Sequence, residues 1–195
     1  MVATTTTYTV NPTFNVTTQS IEGVALGTVY DPVTTATPEY PGQVIAVGTR
    51  ANASGGAQYV FATANAVINA WDTVWIDANF NNVLPVTQAL SLTSGWFGFA
   101  QMGTGTSVTT GTALTTGQSG WFMLSGTPIV NISGTLTKDV PLYVSGTAGQ
   151  LTITTQSASG GMVQGVTMIT STAYTGITSA AAVVATSPII RRPGA

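Results

Sequence analysis

Residues 57–77 read AQYVFATANAVINAWDTVWID, and the reading of this stretch decides the fold. It holds three short apolar runs: Tyr59-Val60-Phe61-Ala62, Val67-Ile68 and Thr73-Val74-Trp75-Ile76. They are too short for helices, and they are rich in the β-branched and aromatic residues that suit a pleated, half-buried surface. The same grammar continues in both directions. Downstream come Val83-Leu84-Pro85-Val86 and Trp96-Phe97-Gly98-Phe99-Ala100. Beyond the Gly/Thr tract 103–118 it resumes with Trp121-Phe122-Met123-Leu124, Ile129-Val130-Asn131-Ile132, Leu142-Tyr143-Val144, Leu151-Thr152-Ile153 and Met162 to Met168. Strand signals at roughly 8–12-residue spacing are the pattern of a sandwich or barrel.

Upstream, Val24 to Tyr30 and Val44 to Val47 are further runs, punctuated by Asp31-Pro32, Pro38 and Pro41-Gly42. The expectation is an all-β chain: a β-barrel or β-sandwich of short antiparallel strands over residues 21–172. Residues 1–20 alternate Thr with apolar residues and read as an extended N-terminal arm. Residues 173–195 read as a C-terminal tail, with one turn of helix expected over 177–186.

The word SGWF occurs twice, at 94–97 and 119–122, but another register matches more of the chain. Asp72 to Asp77 resembles Asp139 to Ser145 at an offset of 67 (72 to 139), and Gly98 falls on Gly165 at the same offset. Tyr59 to Ala64 resembles Trp121 to Gly126. Two pseudo-repeated units are expected, about 57–102 and 120–170. The first SGWF then closes one unit and the second opens the next. In each word Trp and Phe alternate to opposite faces, so one ring enters the core and the other is free to meet a neighbour.

Composition narrows function by exclusion. Of 195 residues only 5% are charged, against about 25% in an ordinary globular protein. Four bases and six acids give a net charge of -2. No cluster of Lys and Arg exists to neutralise phosphates, so nucleic acid is not an expected partner. The chain has no Cys and no His, which removes disulfides, thiolate nucleophiles and the usual base and metal ligands. Asp72 and Asp77 lie close in sequence, but they bracket one strand at a separation that points them to opposite faces, so they read as turn or strand-end residues. Lys138-Asp139 and Asp31-Pro32 read as turns. No catalytic residue, metal site or cofactor is expected, and the chain is not read as an enzyme. The opening MVATTTTYTV has neither a basic nor an apolar leader region, and no apolar run reaches the ~18 residues of a membrane span. Neither a signal peptide nor a membrane association is expected. Trp71 and Trp75 share a parity on a strand and would suit a sugar-stacking platform, with core packing as the plainer alternative.

The segments SGWFMLSGTPIVNISGTLTKDVPLYVSGTAGQLT (119–152) and GGMVQGVTM (160–168) resemble the small capsid decoration, or cement, proteins of tailed bacteriophages. So do LGTVYDPVTTATPEYPGQVIAVG (26–48) and residues 57–77. The resemblance implies a β-barrel or sandwich, a homotrimer, and a structural virion protein on the outer capsid surface. It implies the phage major capsid protein as partner and synthesis in the host cytoplasm. Candidate interface residues, toward capsid or subunit, are Tyr8, Val10 and Phe14 on the arm and Trp96 and Trp121 in the two SGWF words. Two alternatives stand beside it: a carbohydrate- or receptor-binding β module on a fibre or surface, and a tail-tube-type structural protein.

Overall fold

The computed structural model describes residues 14–15, 20–21, 24–25, 46–52, 57–101, 112–154, 161–171 and 180–191, with backbone pairing alone for 14–15, 20–21, 24–25, 112–113 and 180–191. The described chain is all-β, with one 3-10 turn at Leu90–Leu92. Its strands are β1 (Phe14–Asn15), β2 (Ser20–Ile21), β3 (Val24–Ala25), β4 (Arg50–Asn52), β5 (Gln58–Thr63), β6 (Ile68–Asn69), β7 (Thr73–Ile76) and β8 (Val83–Pro85). They continue with β9 (Trp96–Phe99), β10 (Thr112–Leu114), β11 (Ser119–Ser125), β12 (Ile129–Ser133), β13 (Pro141–Val144), β14 (Leu151–Thr152), β15 (Met162–Met168) and β16 (Ala180–Arg191).

Two rings of strands organise the body. In the first sheet the order is β4-β5-β11-β9-β7-β8. A parallel bridge from Ala64 to Val83 joins the end of β5 back to β8, with Asn65 N donating to Val83 O at 3.0 Å. The second ring is a closed barrel, β12-β14-β13-β15-β16. The small pair β6–β10 adds Ile68 and Leu114 to the interior of the first ring.

The rings share one topology, and their registers coincide. The parallel pair Ala64–Val83 of the first corresponds to Ile132–Leu151 of the second. Trp75–Leu84 and Ile76–Val83 correspond to Tyr143–Thr152 and Val144–Leu151, and Thr73–Phe99 to Pro141–Thr167. Every one of these residues moves by 68 positions (64 to 132, 83 to 151). The last strand moves by 61: Ala62–Gly120 becomes Val130–Ala181, and Phe99–Met123 becomes Thr167–Val184. A bulge at Gly165 (φ 77) is the local departure, where Leu142 opposes Val163.

This corrects the sequence register in two ways. The offset is 68, not 67, and in a strand a slip of one residue exchanges the inner and outer faces. At 68 the interior residues Val74, Ile76, Val83 and Ala100 fall on the interior residues Leu142, Val144, Leu151 and Met168. The counterpart of β5 is β12, so β11 closes the first unit rather than opening the second. Both SGWF words belong to one ring, on strands that are neighbours through Met123 and Phe99.

The segment read as a tail supplies β16, the longest of the described strands, which pairs with β15 and β12 and completes the second barrel. No helical turn forms at its start, because Ala180 to Ala182 are held in register opposite Asn131, Val130 and Ile129. Of residues 1–20, the described parts are Phe14–Asn15, paired antiparallel with Ser20–Ile21, and Ser20 itself, which β2 pairs on to β3. The rest of the expected arm lies outside the described residues.

Burial differs between the rings. β5, β7 and β11 are buried on both faces. Val60, Ala62, Val74, Ile76, Phe122 and Leu124 fill the first ring. The opposite face carries Tyr59, Phe61, Trp75, Phe97, Phe99, Trp121 and Met123, which form one continuous cluster with the second barrel's interior. The second barrel alternates buried and partly exposed residues along β12, β13 and β15.

Candidate functional site

Three segments converge at one end of the first ring. The pairing of Ile76 with Trp96 sets the start of β9 beside the end of β7. The turn after β7 is tied by Asp77, whose Oδ1 accepts from Asn81 N at 2.8 Å and Asn82 N at 3.0 Å. In that turn Phe80 adopts a left-handed φ of 60, and its half-buried ring packs on the first ring's interior. The turn before β4 approaches as well. There Gly48 (φ 85) lies so close to Phe80 that a Cβ would sit 3.0 Å from the ring.

The product is a stack. Trp96 and Phe80 lie with ring centroids 6.4 Å apart and planes 25° apart. The Arg50 guanidinium carbon is 4.8 Å from the Trp96 ring centroid, within cation–π range. Trp96 is 45% exposed, and Arg50 is exposed beside it. Among the described residues the other exposed large apolar side chains are Val47, Val67, Leu92 and Ile169, none of them aromatic.

Trp121, the other tryptophan expected at an interface, is a core residue. It is 2% exposed and meets Phe61 edge-on at 5.3 Å. Phe122, beside it, fills the ring interior. Both rings of the second SGWF word are therefore buried, because β11 is an inner strand between β5 and β9. In the first word Phe97 is buried and Trp96 is not. Tyr8 and Val10 lie outside the described residues, and of Phe14 only the backbone pairing is described.

The remaining tryptophans do not make a platform. Trp71 precedes β7 in a left-handed conformation (φ 69) and packs with Ala70 and Ile129, whereas Trp75 belongs to the large shared core. Their shared parity has no consequence, because Trp71 is not on the strand.

The described carboxylates hold structure. Asp72, only 3% exposed, sits where the two rings meet. Its Oδ2 accepts from Asn69 N at 2.9 Å, and its Oδ1 from Asn131 Nδ2 at 3.2 Å. Burial pushes its carboxyl above the usual range, while the bonds from Asn69 and Asn131 pull it down. Around it the seam is stitched by amides. Gln101 makes paired bonds with the Ile129 backbone at 2.8 and 2.9 Å, and Asn131 N donates to Trp71 O at 3.0 Å. Gly149 accepts from Thr73 N and donates to Val86 O. Asp139, in a turn at φ 60, pairs with Lys138 at 3.7 Å on the surface. No group of three metal-ligating side chains occurs among the described residues. Sequence reading missed both the Asp72 seam and the partners of Trp96, since each joins segments far apart in the chain.

Compared with known families and curated proteins, the chain matches no family model and no curated protein.

Proposed function

We propose that the chain is a capsid decoration protein: a structural virion protein that binds the outer surface of a tailed-phage head and bridges major capsid subunits. The observation that carries this reading is how its chemistry is distributed. Asp72 and Asp77 are committed to backbone turns and to the seam between the rings, and Asp139 is paired with its neighbour. What the described residues offer outward is a surface of low charge with an exposed cation–aromatic stack at Arg50 and Trp96. Such a surface suits a module that works by contact.

The sequence resemblance adds to this, since residues 119–152 and 160–168 span β11 to β15. A decoration protein acts by linkage: it stabilises the assembled shell because it binds that state and not the separated subunits. Assembly as a homotrimer would bring three two-barrel bodies to one site and multiply the buried area, which for permanent assemblies exceeds about 2,000 Å². A carbohydrate platform is less well supported, because Trp71, Trp75 and Trp121 are buried.

The test is reconstitution. Heads of the encoding phage, assembled without this protein, should bind it when it is added back and then resist heat and osmotic shock to a higher threshold. Electron microscopy should place it on the outer shell. Failure to bind such heads, or location on the tail alone, overturns the reading.

A further inference from the structure

We infer that the stack of Arg50, Trp96 and Phe80 is the surface through which the chain grips a carboxylate-bearing loop of its protein partner. The inference rests on the capsid-decoration reading and names the contact that reading needs.

Among the described residues no carboxylate lies within ion-pair distance of Arg50, and the described surface ion pair is Lys138 with Asp139. Asp77, in the adjacent turn, spends Oδ1 on two backbone amides of its own loop. In a chain with four bases in 195 residues, an exposed cation beside an exposed indole is the most distinctive chemistry this surface offers.

The geometry prepares Arg50 for an anion. Contact with the Trp96 ring fixes the guanidinium and shields one side of it, which lowers the entropy lost on binding. The N–H groups on its edges remain able to meet a carboxylate in a two-pronged, charge-assisted fork. Trp96 is itself stacked on Phe80, and Phe80 lies against Gly48. Tryptophan and arginine are the residue types that dominate interface energies. An apolar or basic partner would bury the guanidinium unpaired, at a cost that an acidic one avoids.

The experiment measures binding of wild type, Arg50→Gln, Arg50→Lys and Trp96→Ala to heads of the encoding phage assembled without the protein, at low and high salt. Melting temperatures are recorded alongside. Wild type is expected to bind, and more weakly as salt rises. Arg50→Gln should lose at least about tenfold in affinity and most of the salt dependence, with an unchanged melting temperature. Arg50→Lys should fall between, since it keeps the charge but not the fork. Trp96→Ala should also weaken binding. Wild-type failure to bind overturns the decoration reading and this inference with it. If wild type binds and Arg50→Gln binds equally well, only the inference falls. Loss in Trp96→Ala alone, with Arg50→Gln unaffected, overturns the carboxylate partner.

Discussion

Asn131, on β12 of the second ring, donates from Nδ2 to Oδ1 of Asp72 at the edge of the first, 3.2 Å away, and to the Ala70 carbonyl at the same distance. A buried carboxylate loses water from all its lone pairs, so each donor replaces part of that hydration. Asn131→Ala removes a donor and leaves the desolvation in place. The expected loss is about 1–3 kcal/mol, seen as a lower urea midpoint. A midpoint equal to wild type would mean that the bond contributes nothing across the seam.

The same carboxylate sets a pH dependence. Burial raises the Asp72 pKa in the folded state, outweighing the bonds that lower it. Between the unfolded value, about 3.9, and the raised folded value, the native state holds more protons than the unfolded one. Stability from this group is therefore full below the unfolded value and is lost as pH rises through the folded one. Asp72→Asn cannot titrate. The stability difference between wild type and Asp72→Asn should shift in favour of the variant from acid toward neutral pH, measured by urea unfolding. A constant difference would refute the raised pKa.

Gly149 and Gly117 separate two reasons for a glycine. Both have left-handed φ, 77 and 88. A Cβ on Gly117 would meet nothing within 4 Å, but one on Gly149 would lie 2.5 Å from the Asp72 carboxylate. Gly117→Ala should cost only the backbone term, about 1 kcal/mol. Gly149→Ala should cost about 1–3 kcal/mol more through overpacking against a group that is already fixed. Equal losses in the two melting curves would show that Asp72 can move aside.

Strands were legible wherever apolar runs stood between turn residues, as in 57–77, because period and turn chemistry are local properties. The near-repeat was legible too, but not its phase. Asp72 and Asp139 match as letters at 67, whereas the faces match at 68, and only pairing partners such as Ala64–Val83 reveal which is right. The strand at 180–191 was missed because Ala180-Ala181-Ala182 has weak β character and takes its conformation from β12. Burial of Trp121 was hidden for a similar reason: alternation predicts one buried face, and β11 has two. The stack on Trp96 depends on turns 16 or more residues away (80 to 96), which no local pattern connects.

The role of β16 predicts the effect of truncation. Ending the chain after Ser179 removes the strand that closes the second barrel and exposes the edges of β12 and β15. Unpaired edges of this kind are sites of aggregation. The truncated chain should lose its cooperative melting transition and elute as aggregate in size-exclusion chromatography. A monodisperse truncated chain with the wild-type melting temperature would show that the barrel does not need its fifth strand.

The two SGWF words should respond very unequally to the same substitution. Trp121 packs edge-on against Phe61 between two inner strands, so Trp121→Ala opens a cavity in the shared core and should cost about 3–5 kcal/mol. Trp96 contributes a stack with Phe80 and a cation–π contact at the surface, so Trp96→Ala should cost about 1 kcal/mol or less. Gly95, next to it, is constrained more than Trp96 is, since a Cβ there would collide with the Trp75 indole nitrogen. Gly95→Ala should therefore destabilise more than Trp96→Ala, although it adds one methyl group where the other removes an indole. Chemical unfolding of the three variants checks the order Trp121→Ala, Gly95→Ala, Trp96→Ala. A Trp96→Ala loss as large as that of Trp121→Ala would make Trp96 a core residue and leave the surface without its platform.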